Sequence, residues 1–307
     1  MRRRLGTVLI LVAAVASCGG PPPEPVASVV VALDRGAAPL GGVVGMSYQF
    51  SVFEGQEPMT EDYRVFVHFA DADGAVLWTD DHDPPVPTSR WQPGQTISYD
   101  RTMFLPLYPY VGASTIRVGL YPTDGSDRVP LAGDDDGSRS YAVSTLELLP
   151  QSENVFLIYQ DGWHAPEGVP DTPDSEWRWT QDNATLAFRN PRRDVLLYLR
   201  ADGRPDLVGG PQGVVLQIAD REVARFSIEN TDAELRLLPI TQAQLGEEDM
   251  IELQILVDGS FIPAERSATN ADDTRELGIR VFEIFVEAHV AGDDDGSRSY
   301  AVSTLEL

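Results

Sequence analysis

The chain has one cysteine and no lysine among 307 residues. A single thiol excludes an intramolecular disulfide. The basic side chains are all arginine, 23 against 48 acidic ones, for a formal net charge of −25. Such a surface repels phosphate backbones and anionic headgroups, which argues against nucleic-acid binding. The four histidines, His68, His82, His164 and His289, are scattered, and none pairs with another at metal-ligand spacing. No G-x-S-x-G nucleophile elbow occurs. Acidic pairs are too abundant to single out a hydrolytic couple, so the expectation is a non-catalytic chain. No run reaches the ~18 apolar residues of a membrane-spanning helix.

The first residues are an exception to the general acidity. Arg2, Arg3 and Arg4 precede the short apolar stretch Val8–Ala16, the layout of an export signal. Val15-Ala16-Ser17-Cys18 ends it. That sequence resembles a bacterial lipobox. The resemblance implies that residues 1–17 are a signal peptide and that Cys18 becomes a lipidated N-terminus, an acyl (palmitate-type) membrane anchor. Gly19, in place of an aspartate, favours the outer membrane in a cell that has one. Residues 18–26, with Pro21, Pro22 and Pro23, read as a stiff tether.

The body reads as short strands. In "YRVFVHF", Tyr63, Val65, Val67 and Phe69 share one face; in "STIRVGLY", Ile116, Val118 and Leu120 do. Turn pairs punctuate these runs: Asp73-Gly74, Asp124-Gly125, Asp202-Gly203 and Asp258-Gly259. The one helix-like stretch, "ITQAQLGEED", is long enough for a turn or two. Close-spaced strands with turn signals predict an all-β protein of two antiparallel β-sandwich domains in tandem. The boundary falls near Pro150-Gln151, giving domains at 27–150 and 151–290.

The run 132–148 recurs without a mismatch at 291–307. Surface positions such as Asp134 and Arg139 match as faithfully as Val143 and Leu146, while the flanks differ. Structural repeats keep core residues and vary surface ones, so these are not two homologous domains. The first copy is expected to supply the last strand of domain one, Tyr141 to Leu149. The second reads as a duplicated tail whose strand could compete for the first copy's place at a sheet edge.

Residues 65–131 contain "VFVHFADADGAVLWTDDHDPPVPTSRWQPGQ" and "IRVGLYPTDGSDRVPL". They resemble an immunoglobulin-like module of exported bacterial proteins, some tied to glycan handling. Residues 161–287, from "DGWHAPEGVPDTPDSEWRWTQDNATLAF" to "LGIRVFEIFVE", resemble galactose-binding-like jelly-roll modules, some attached to polysaccharide enzymes. The second resemblance implies a sugar receptor, with domain one as spacer. Trp163, Trp177 and Trp179 would then be the stacking platform, since a sugar's C–H face packs on a π surface. Glu167, Asp174, Glu176 and Arg178 would bond hydroxyls. Alternation puts Trp177 and Trp179 on one face, which is either a core face or that platform.

Asp71, Asp73, Asp80, Asp81 and Asp83 crowd two loops of domain one. They are hard oxygen ligands suited to Ca²⁺, or they are turn formers. The run at Asp134, Asp135 and Asp136 does not fit a helix-loop-helix calcium site, because Val143 stands where that site needs glutamate. Two partner classes follow: an envelope or extracellular polysaccharide, or an envelope protein contacted by a structural lipoprotein. An accessory subunit or a divergent hydrolase is the third, weaker reading.

Overall fold

The computed structural model describes residues 23–125, 127–153, 155–169, 176–266 and 272–288. Cys18, the signal region, the start of the tether, Asp174, His289 and the tail 291–307 lie outside the described residues.

The first unit carries ten strands: β1 (Ala27–Leu33), β2 (Ala37–Pro39), β3 (Val43–Val52), β4 (Arg64–Ala70), β5 (Val76–Thr79), β6 (Thr96–Phe104), β7 (Gly112–Tyr121), β8 (Leu131–Ala132), β9 (Asp134–Asp135) and β10 (Tyr141–Leu149). One sheet runs β6-β3-β1-β8, the other β2-β10-β7-β4-β5, with β9 paired to β10. All pairings are antiparallel except β1 with β8 and β2 with β10. Alternate residues of β3 and β4 point inward, so Tyr48, Phe50, Val65, Val67 and Phe69 meet Ile116, Val118 and Leu120 in one core. Period-two patterning sets this register, because a slip of one residue would turn every apolar side chain outward. Trp91 sits in that core, 5.1 Å from the Phe50 ring, with Nε1 donating to the Val86 carbonyl. The "WQPG" segment is therefore a core anchor as well as a loop.

His82 is buried in the same unit. Its Nδ1 lies 3.0 Å from the Asp80 carbonyl oxygen, which can only accept, so Nδ1 carries the proton. Nε2 then accepts from the Tyr99 hydroxyl at 2.9 Å. Burial pushes this imidazole below its usual value.

The second unit carries β11 (Leu157–Tyr159), β12 (Arg178–Trp179), β13 (Asn183–Arg189), β14 (Val195–Asp202), β15 (Gln212–Ile218), β16 (Arg221–Ile228), β17 (Glu234–Ile240), β18 (Met250–Val257) and β19 (Arg280–Ala288). Its sheets run β11-β13-β18-β15-β16 and β12-β19-β14-β17. Between them lies a second core of Leu186, Phe188, Leu197, Leu199, Leu216, Leu253 and Ile255. Among the described residues three single-turn helices punctuate the strands: α1 (Pro205–Val208), α2 (Gln242–Leu245) and α3 (Pro263–Arg266). The expected helix is α2. Thr241 and Gln244 form a reciprocal capping box at its start. Among the described residues no helix is long and apolar enough to cross a membrane. The architecture is all-β, two sandwiches in tandem.

The units touch through a small apolar patch. Val43 and Phe104 of the first pack against Leu196, Tyr198, Leu235 and Phe285 on the outer face of the β12-β19-β14-β17 sheet. Beside it, Arg35 is ion-paired to Glu287, which also accepts from the Tyr198 hydroxyl at 2.9 Å. Among the described residues the first unit covers one end of that sheet's outer face and leaves the other end open.

Candidate functional site: a tryptophan and arginine pocket on the second sandwich

A pocket of about 690 Å³ opens at the uncovered end of that sheet. Its apolar wall is Trp177, Trp179, Leu207, Phe261 and Leu277; its polar wall includes Glu167, Arg204, Asp273, Arg275 and Arg280. The apolar residues form a satellite cluster outside the main core. Trp179 is buried and meets Phe261 edge-on, with ring centroids 5.8 Å apart. Trp177 is half-buried. The two indoles therefore do share a face, and that face is a pocket wall distinct from the sandwich interior.

Buried hydrogen bonds hold the pocket floor. Gln212 at the start of β15 is fully buried. Its amide donates to the Gly259 and Gly278 carbonyls, and its carbonyl accepts from the Arg204 amide. Three loops are tied to one strand end. Opposite, the Glu167 amide donates to the Trp177 carbonyl and the Trp177 amide to the Glu167 carbonyl, at 2.8 and 2.7 Å. This bridge places the Glu167 side chain beside the indole.

The charges are paired. Arg275 binds Asp273 in a two-pronged contact at 2.9 and 2.8 Å and reaches Glu167 at 2.5 Å. Its guanidinium holds the Asp273 carboxyl below the usual carboxylate range. Arg280 is held by Asp202, which is only 2% exposed. This overturns the turn-former reading of Asp202-Gly203: Asp202 ends β14 and anchors an arginine. The Arg280 guanidinium lies 5.3 Å from the Trp177 ring centroid and 5.7 Å from that of Trp179. A cation stacked on indole fixes both partners. The pocket thus offers apolar ring surface flanked by immobilised donors and acceptors.

The structure does not bring all the sequence candidates here. Glu167, Trp177 and Trp179 line the pocket. Trp163 lies elsewhere, packed on the second core with Nε1 donating to the Thr185 carbonyl at 2.9 Å. Arg178 points to the other side of β12, its guanidinium 4.6 Å from the Tyr159 ring centroid, because neighbours on a strand face opposite ways. Glu176 lines a different cleft, between the two units. Arg275, Arg280, Asp202 and Gln212 escaped the sequence reading. Each is one polar residue among many, and only its burial and partners mark it.

The aspartates proposed for calcium do separate jobs. Asp71 accepts from the Asp73 and Ala75 amides, closing a turn, and the Asp73 side chain is exposed. Asp80 pairs with Arg101, Asp81 accepts from the Val67 amide, and Asp83 pairs with Arg64. Among the described residues no three His, Cys, Asp or Glu side chains converge on a point that could hold a metal ion.

No family model and no curated protein matches the chain. Solved structures similar to it include a CBM36 carbohydrate-binding module in complex with calcium and xylotriose, at 13% identity over 44% of this chain and 100% of that one, with a TM-score of 0.27. Another is the Bacteroides ovatus mixed-linkage glucan utilization locus protein SGBP-B in complex with a mixed-linkage heptasaccharide, at 12% identity over 85% of this chain and 53% of that one, TM-score 0.27. A third is the CBM22-1-CBM22-2 tandem of Paenibacillus barcinonensis Xyn10C, at 10% identity over 82% and 80%, TM-score 0.26. Likeness at these scores assigns no function to this chain.

Proposed function

We propose that this chain is a non-catalytic, exported, lipid-anchored protein that binds an envelope or extracellular polysaccharide through the pocket at Trp177 and Arg275. The observation that carries the reading is the pocket's composition: indole and phenyl surface beside guanidinium and carboxylate groups locked by their own ion pairs. Apolar ring faces take the C–H side of a sugar, and pre-oriented charged groups form the stronger class of hydrogen bond with hydroxyls. Catalysis is not part of the proposal. Glu167 and Asp273 converge, but on Arg275, which keeps Asp273 ionised, whereas glycoside cleavage requires a carboxyl with a raised pKa.

The test is titration of the chain with soluble xylan, mixed-linkage β-glucan, mannan and alginate. Saturable binding that drops by about tenfold or more, or 1.4 kcal/mol, in a folded Trp177→Ala variant supports the reading. Absence of binding to all four refutes it. The anchor rests on the Cys18 motif. Palmitate labelling of the expressed protein, lost in Cys18→Ser, tests it; label retained in that variant refutes it.

A protein partner is the second reading, and one edge favours it. Among the described residues the edge strand β11 pairs on one side only, and Phe156 beside it and Ile158 on it are more than half exposed. Such an edge invites strand addition by another chain.

A further inference from the structure

We infer that the pocket does not end at Trp177 but continues along the outer face of β12, β19 and β14 into the cleft between the two sandwiches, so that both units grip one neutral polysaccharide chain. This rests on the polysaccharide reading above and changes its geometry. The first unit becomes part of the receptor instead of its spacer.

The continuity is a row of stacked groups. β19 bulges at Phe282, between the Val281–Ala201 and Glu283–Arg200 pairs, which brings the Phe282 ring to the Arg280 side. The Arg280 guanidinium, already over Trp177, also lies 4.8 Å from the Phe282 ring centroid. Trp177 and Phe282 are 6.3 Å apart. The Arg200 guanidinium also packs on Phe282, 5.2 Å from its ring centroid. Trp177 and Arg280 line the first pocket, while Phe282 and Arg200 line the interdomain cleft, a space of about 910 Å³. The Trp177–Arg280–Phe282–Arg200 row joins the two spaces.

The opposite wall of the cleft comes from the first unit. Asp80, just past β5, and Arg101 on β6 face it as a two-pronged pair with a closest approach of 2.9 Å. Arg200 is matched in the same way by Glu283, with Arg200 Nη2 2.7 Å from the carboxylate. Each of the guanidiniums along the row, Arg275, Arg280, Arg200 and Arg101, has its own carboxylate. The groove therefore repeats donor, acceptor and ring surface while adding little net charge of its own. That pattern suits a polymer with alternating hydroxyls and apolar ring faces. It does not suit a polyanion, which the protein's net charge of −25 would repel.

The experiment is calorimetric titration of the full-length protein with disaccharides and hexasaccharides of xylan, mixed-linkage β-glucan and mannan, with alginate oligosaccharides as the anionic arm. The variants are Thr79→Trp, whose exposed side chain on β5 would fill the cleft, Arg101→Gln as a smaller change at the same wall, and Trp177→Ala. For at least one neutral series the hexasaccharide should bind about tenfold tighter than the disaccharide, a difference of ~1.4 kcal/mol. Thr79→Trp and Arg101→Gln should erase that gain and leave disaccharide binding unchanged. Equal affinity for both lengths, untouched by these variants but abolished by Trp177→Ala, would overturn the groove and leave the pocket standing. Tighter binding of alginate than of every neutral series would overturn the charge argument. No binding of any probe would overturn groove and pocket together.

Discussion

Removing the Asp202 carboxylate should cost more stability than its place at a strand end suggests. Asp202 is 2% exposed, and its two oxygens hold Arg280, with Nε to Oδ1 at 2.9 Å. In Asp202→Ala the guanidinium keeps its aromatic neighbours but loses its counter-charge. Breaking a buried pair by deleting one partner costs about 3–5 kcal/mol. The Arg280 side chain is 29% exposed, so water takes up part of the loss and the expected value is near the lower end, about 3 kcal/mol. In urea this lowers the unfolding midpoint by about 1 M or more. Replacing both partners, Asp202→Leu with Arg280→Met, should recover most of the loss, because an apolar pair of similar volume avoids the desolvation penalty. It should not restore glycan binding, since the cation between Trp177 and Phe282 is gone. The reasoning fails if the single variant loses less than about 1 kcal/mol, or if the double variant is no more stable than the single one.

Three further outcomes are expected. His82 has a depressed pKa in the folded state through burial; its contribution is complete above the unfolded value near ~6.5 and is lost as pH falls toward the folded value, at up to about 1.4 kcal/mol per pH unit. Urea unfolding between pH 7.5 and 5.5 should show this slope, flattened in His82→Gln; an unchanged slope in that variant counts against it. Gly162 has φ +79°, and a Cβ there would sit 1.9 Å from the Asn183 carbonyl oxygen, so Gly162→Ala should destabilise by about 2 kcal/mol or more from strain and overlap; a thermal midpoint within a degree of the parent's would refute this. Because Asp71, Asp80, Asp81 and Asp83 are engaged in turns and ion pairs, chelator and added Ca²⁺ should leave both thermal stability and glycan binding unchanged, and a clear upward shift with Ca²⁺ would contradict that.

Local patterning carried the fold class. Period-two runs such as Val65, Val67 and Phe69, and turn pairs such as Asp73-Gly74, are properties of neighbouring residues, and a strand or a hairpin is a neighbourly structure. Leu146 and Leu148 likewise mark β10 as a strand with a buried face. The sequence also showed that Trp177 and Trp179 share a side, because side-chain alternation on a strand needs no tertiary knowledge.

Which side that was could not be read from the chain. The two indoles line a pocket because Phe261, Leu277 and Arg280, some eighty to a hundred residues downstream, close around them. Trp163 belongs to a different face because its backbone bridges Thr180 while its indole N–H reaches the Thr185 carbonyl on β13. Asp202 reads as a turn former until β19 delivers Arg280 against it, and a chain with 48 acidic residues offers no way to tell that carboxylate from the rest. The sequence by itself determined strands, turns and charge balance, since these depend on short stretches of chain. The tertiary structure alone decided which charges were paired, which rings were exposed and where the two units met, since burial and ion pairing are set by residues far apart in sequence and close in space.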